Sequence, residues 1–73
     1  MSDYESFIKN AEVTEVFKHF EDHRKRLHKP MTKRAIELNM KRAFELSGGD
    51  TQKAVLVVNR SIEQGWQGLF PLP

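Results

Sequence analysis

Apolar residues recur along the chain at steps of three and four positions, which is the spacing of one face of an α-helix. Prolines and glycines divide this pattern into three stretches and a short remainder. The pattern predicts helices over about 10–27, 33–47 and 51–64, and a non-helical tail over 65–73. We therefore expect an all-α fold: a three-helix unit with a docked tail, and with room for a short extra helical turn at its amino end.

The first predicted helix begins at Asn10, an N-cap candidate, and ends in a turn rich in cations, which suit the negative end of the helix dipole. Its apolar stripe consists of Val13, Val16, Phe17, Phe20 and Leu27. Upstream, Ser2 and Glu5 have the spacing of a capping box. Because Tyr4, Phe7 and Ile8 also follow helical spacing, we expect a leading turn or an extension of this helix.

The second predicted helix has the best-defined start in the chain. Thr32 is an N-cap candidate, and Met31 and Ile36 flank it at the positions of a hydrophobic staple. The apolar stripe consists of Ile36, Met40, Ala43 and Phe44, widened by Leu38 and Leu46. The Gly48-Gly49 pair predicts a left-handed helix end.

The third predicted helix lies between Asp50, an N-cap candidate, and Gly65, a C-terminal stop. The run from Ala54 to Val58 favours a strand in isolation. A cap and a stop about fifteen residues apart are more typical of a helix. Since this run is apolar on all sides, we expect the third helix to be the most buried of the three.

The tail combines large apolar residues with two prolines and an internal glycine, so it cannot be a helix. Its large apolar residues are Trp66, Leu69, Phe70 and Leu72. Left free in water they would form a contiguous hydrophobic patch, which soluble monomers seldom expose without a purpose. We expect the tail either to complete the core or to bind a partner.

Length and composition exclude several classes of protein. Seventy-three residues suffice for one domain, over residues 1–73, with a thin core and little room for a deep pocket. The absence of cysteine excludes disulfides and thiolate metal sites. No secretory signal or membrane-length apolar run is present. We expect a cytoplasmic protein with no membrane contact and no small-molecule substrate.

The sequence offers little for catalysis. His19 and His23 are four residues apart, a spacing able to chelate a metal, and Glu15 lies one turn earlier. They alternate with charged residues on the expected wet face of the first helix, and nothing downstream supplies a convincing further ligand. No phosphate-binding loop or pair of nucleophile and base is present. We therefore predict no catalytic residue, no metal and no cofactor.

Charge is distributed unevenly although the net charge is only +2. Residues 1–22 carry two Lys/Arg and six Asp/Glu, whereas residues 23–42 carry eight and one. The eight cations are Arg24, Lys25, Arg26, Lys29, Lys33, Arg34, Lys41 and Arg42. A concentration of positive charge of this kind bears on partners and not on the fold.

Two functional hypotheses follow, both for a non-catalytic binding module. The first is DNA binding by the eight cations, which would neutralise phosphates with a steep dependence on salt. The alternative is a protein-interaction module in which Trp66, Leu69 and Phe70 bind a replication partner or a second copy. Against the first, a charge run on a small helical protein is commonly just a solvated face.

Three segments of the chain carry a resemblance to a known family. They read RKRLHKPMTKRA from Arg24, SGGD from Ser47 and SIEQGWQGLFP from Ser61. From Phe17 to Leu72 the chain resembles the C-terminal segment of phage and prophage replication-initiation proteins. The resemblance implies a DNA-replication context, with Arg24, Lys25, Arg26, Lys29 and Arg34 at a basic entry and Trp66, Leu69 and Phe70 in a shared tail. The winged-helix domain usual upstream in that family is not among these residues.

Overall fold

A computed structural model describes residues 3–73, which form four α-helices and, within that range, no strand. The helices are α1 (Asp3–Lys9), α2 (Ala11–Arg26), α3 (Lys33–Ser47) and α4 (Thr51–Gln64). The predicted all-α class is confirmed, and the three predicted helices are α2, α3 and α4. The segment expected as a leading turn or extension is the separate helix α1.

The helix ends form where the sequence predicts them because the capping side chains act locally. Asn10 Oδ1 accepts the amide N–H groups of Glu12 and Val13 at 2.9 and 3.0 Å. Thr32 and Asp50 cap α3 and α4 in the same way, and Gly48 and Gly65 end them in left-handed conformation. The predicted capping box cannot be compared, since Ser2 lies outside the described residues.

The core lies where α2 and α4 face each other, with α3 packed on α4 and α1 closing one side. Its buried apolar residues are Phe7, Val13, Val16, Phe17, Phe20, Ala43, Ala54, Val57, Val58 and Leu69. The ring of Phe44 joins α1 to α3, with centroids 5.2 Å from those of both Tyr4 and Phe7. Every helix and the tail therefore contributes a buried side chain to one core.

Two leucines depart from the predicted stripes. Leu38, expected to widen the buried face of α3, is 49% exposed. Leu56, in the apolar run of α4, is 57% exposed, so α4 is not enclosed on all sides. It is nevertheless the most buried of the three predicted helices, as expected, since 6 of its 14 residues are exposed against 9 of 16 in α2. A helix in a three-helix unit has one outward side whatever its composition, and these leucines occupy that side.

The chain order of the helices brings four segments to one end of the molecule. His23, near the carboxyl end of α2, contacts Trp66, which directly follows α4. The carboxyl ends of α2 and α4 therefore lie together, beside the amino end of α3. Residues 27–32, the α2–α3 turn, and the start of the tail share this end, while Lys9 and Lys53 lie toward the opposite end.

We expect Asp50→Ala to lower the free energy of unfolding by about 1 kcal/mol, because the first amide groups of α4 lose their acceptor. Urea denaturation followed by circular dichroism measures the loss. Asp22→Ala is the matched control, since Asp22 is exposed in α2 and accepts no recorded hydrogen bond. Equal losses in the two variants would show that the cap contributes nothing beyond its charge.

Candidate functional site

Side chains from three helices donate hydrogen bonds to four consecutive backbone carbonyls of the tail. The pairs are His23 Nε2 to Trp66 at 2.8 Å, Arg24 Nη1 to Gln67 at 3.1 Å, Ser61 Oγ to Gly68 at 2.8 Å and Arg42 Nε to Leu69 at 2.8 Å. A carbonyl oxygen can only accept, so His23 carries a proton on Nε2. These four bonds fix the path of the tail across the ends of the helices.

The apolar side chains of the tail differ in their exposure to solvent. Leu69 is 1% exposed and belongs to the core, whereas Phe70 is 47% and Leu72 is 36% exposed. Leu69, one of the three residues predicted to bind a partner, is therefore covered by the protein itself. A partner cannot contact Leu69 while the tail stays docked.

Trp66 and Phe70 form a small aromatic cluster on the tail. Their ring centroids are 5.2 Å apart and their planes are almost perpendicular, at 83°. The guanidinium of Arg60, on α4, lies 5.7 Å from the centroid of the Trp66 ring. This distance is within the range of a cation–π interaction. Trp66 is half-buried, so the cluster lies at the surface.

Arg24 connects the tail to the α2–α3 turn. Besides the bond to Gln67, its Nε donates to the carbonyl of Lys29 at 2.8 Å. The backbone reverses at His28, which has a φ of 60°, and the amide of Lys29 donates to the Arg24 carbonyl at 2.9 Å. The turn is therefore held from both its backbone and a side chain.

The eight predicted cations do not have one role. Arg24 and Arg42 donate structural hydrogen bonds, while the other six side chains are exposed: Lys25, Arg26, Lys29, Lys33, Arg34 and Lys41. Within residues 3–73, the only contact between a basic side chain and a carboxylate joins His19 Nε2 to Glu15 Oε2 at 3.4 Å. No Lys or Arg in that range is paired with a carboxylate, so the positive charge of this region is not neutralised locally.

The fold also separates these cations in space. Arg34 and Lys41 line an open groove of about 330 Å³ between α1 and α3, together with Glu37 and Tyr4. Burial raises the pKa of the Tyr4 phenol above its usual 10.0, and the charge of Glu37 adds to the shift. Four cations remain around the α2–α3 turn, and we refer to Lys25, Arg26, Lys29 and Lys33 as the turn cations.

The two histidines considered as metal ligands, His19 and His23, make separate contacts in the structure. His23, expected on the wet face of the first predicted helix, is half-buried and bonded to the tail. His19 pairs with Glu15 beside a second open groove, of about 590 Å³, between α2 and α4. Among the described residues, no three His, Asp or Glu side chains are grouped closely enough to hold a metal ion.

Sequence reasoning missed three residues that build this region, His23, Ser61 and Arg60. Ser61 carried a usable signal, because it continues the apolar stripe of Ala54 and Val58 in α4 and is fully buried. A hydroxyl on a buried stripe requires a hydrogen-bond partner, which here is the tail. For His23 and Arg60 no local pattern points to their tail contacts.

Comparison with known proteins gives one match. The family model described as YdaU C-terminal domain, a phage- and prophage-associated family, matches residues 9–73. No curated protein and no solved structure shows significant similarity to the chain. No helix within residues 3–73 is long and apolar enough to cross a membrane.

We expect Leu69→Ala to lower the free energy of unfolding by about 2–5 kcal/mol, because it leaves a cavity in the core and frees the tail. Thermal melts measure the loss, and the emission of Trp66, the only tryptophan, should shift to the red. Leu72→Ala, in the exposed part of the same tail, is the control and should melt like the parent. Identical melts for the two variants would contradict the role of Leu69 as the anchor.

Proposed function

We propose that this chain, which belongs to the YdaU C-terminal domain family, is a non-catalytic module that binds DNA through the cations at the α2–α3 turn. The observation that supports this most directly is the exposure of the turn cations with no carboxylate paired to them within residues 3–73. Each phosphate contacted by such a cation releases condensed counterions, which drives binding at low salt. Arg34 and Lys41 line the groove between α1 and α3 and are not part of this surface.

The backbone at this end of the molecule favours the same ligand. Thr32 accepts the amide of Ala35 at 3.1 Å, so α3 begins beside the turn cations. The amino end of a helix carries amide donors and a partial positive charge, both of which stabilise a phosphate. The side chain of Arg24 braces the turn, so less conformational freedom is lost when Lys25 and Lys29 bind.

The biological setting that we propose is phage-type DNA replication. Two observations support it: the family is associated with phages and prophages, and the three segments quoted above resemble the C-terminal segment of replication-initiation proteins. In that setting DNA is the available polyanion. The contacts proposed are to the backbone, which carries no sequence information, so we expect weak sequence preference.

A second candidate is a protein contact, with a replication partner or a second copy, through the exposed part of the tail. Phe70 and Leu72 are both exposed, which is the observation that favours it. Self-association through this surface would appear as a sedimentation coefficient that rises with concentration in the parent. Loss of that rise in Phe70→Ala would identify the surface.

The principal test is fluorescence anisotropy with a labelled duplex of about 20 base pairs, between about 50 and 200 mM salt. We expect affinity to fall steeply with salt in the parent. The double variant Lys29→Ala/Lys33→Ala should bind more weakly, with a log–log salt slope reduced by up to about 2, because two phosphate contacts are lost.

The control for that test is Lys9→Ala/Lys53→Ala, which removes the same charge from the opposite end of the molecule. It should bind almost as the parent does. Equal weakening by both double variants would mean that net charge, and not the turn, attracts DNA. Absence of binding to both duplex and single-stranded DNA at about 50 mM salt would exclude the proposed function.

A further inference from the structure

The tertiary structure surrounds the aromatic cluster of the tail with three arginines, each from a different helix. Arg24 of α2 donates to Gln67, Arg42 of α3 donates to Leu69, and Arg60 of α4 lies over Trp66. Adjacent Cα atoms are about 3.8 Å apart, so residues 66–70 extend over no more than about 15 Å. We refer to Trp66, Phe70 and these three arginines as the tail surface.

The aromatic rings of this surface are available to a ligand. Phe70 is about half exposed, and its ring lies over Gly68 at the edge of the molecule. The rings of Trp66 and Phe70 meet edge to face, with their planes at 83°. In such a contact the ring that contributes its edge keeps its faces uncovered by the other ring. Such an arrangement permits a further flat group to stack on the cluster.

The arginines retain capacity for an anion. Arg42 uses Nε in its bond to the tail, and within residues 3–73 no other hydrogen bond or ion pair involves it. A guanidinium has five N–H donors, so the donors on its two terminal nitrogens can bind a phosphate side by side. The bond to Leu69 meanwhile holds the side chain in place.

We propose that the tail surface binds single-stranded DNA, with a base stacked on Phe70 and the flanking phosphates held by Arg42 and Arg24. The inference rests on the proposed function and adds the form of the nucleic acid. Aromatic stacking selects single strands because the bases of a duplex are already stacked on one another. Arg24 links the tail surface to the α2–α3 turn, because it donates both to Gln67 and to Lys29.

Charge favours a nucleic acid over an apolar protein partner at this surface. A protein interface over Phe70 would remove water from three neighbouring guanidinium groups that have no paired carboxylate within residues 3–73. Burying unpaired charges in this way is costly. A single strand brings its own compensating phosphates, together with the flat bases that the rings accept.

The test compares binding of a labelled oligo-dT of about 20 nucleotides with binding of a duplex of equal length, by anisotropy and by Trp66 fluorescence. We expect the single strand to bind more tightly and to change the Trp66 emission, whereas the duplex leaves the emission unaltered. Since the chain has one tryptophan, the signal reports on the tail surface alone.

Variants of Phe70 separate stacking from simple hydrophobic contact. Phe70→Leu keeps an apolar side chain but removes the ring, and should weaken single-strand binding at least about fivefold. Phe70→Tyr restores a ring and should restore binding. Leu56→Ala, which alters an exposed apolar residue on α4, is the matched control and should have no effect. Melts of each variant establish that the tail remains docked.

The outcomes distinguish this inference from the proposed function. Duplex binding that depends on the turn cations, with no preference for single strands and no effect of Phe70→Leu, would overturn the inference alone. Binding of neither form would remove both. If Phe70→Leu changes only the sedimentation behaviour, the tail surface is a protein contact and the inference is wrong.

Discussion

The hydrogen bonds from side chains to the carbonyls of Trp66, Gln67, Gly68 and Leu69 are the interaction on which the candidate site depends. Because the tail is not helical, these four carbonyl oxygens have no hydrogen-bond partner from secondary structure. Burying them against the helices without donors would cost free energy. Donors from α2, α3 and α4 supply the partners, and Leu69 enters the core between them. In a domain whose core is thin, one more fully buried leucine is a substantial addition.

Two of the donors are arginines, and this links the stability of the tail to the electrostatics of the surface. A bond from a guanidinium to a neutral carbonyl is charge-assisted, but it leaves the positive charge uncompensated. Arg24 and Arg42 thus hold the tail and still contribute to the potential around it. The same side chains that order Phe70 also make its surroundings attractive to an anion, so docking and the proposed binding do not compete.

The turn cations and the tail surface, linked through Arg24, have two complementary properties. Lysines on a braced turn provide charge without a strict geometry, whereas the arginines and rings of the tail provide flat, directional contacts. The match to the YdaU C-terminal domain family extends over residues 9–73 and so includes both the turn cations and the tail surface.

The helices could be predicted from the amino-acid sequence, because the signals that start and end them are local. Asn10, Thr32 and Asp50 cap amide groups two or three residues away, and the glycine stops act on the adjacent turn, so no distant contact was needed. By contrast, the packing of the helices against one another sets which apolar residues face outward, as Leu38 and Leu56 do, and which tail residue is buried. Packing also determines which residues form the candidate site. The bonds of His23 and Arg24 to the tail join residues 43 positions apart, and that of Arg42 spans 27, distances over which no periodicity in the sequence carries information. Packing alone brings these groups together.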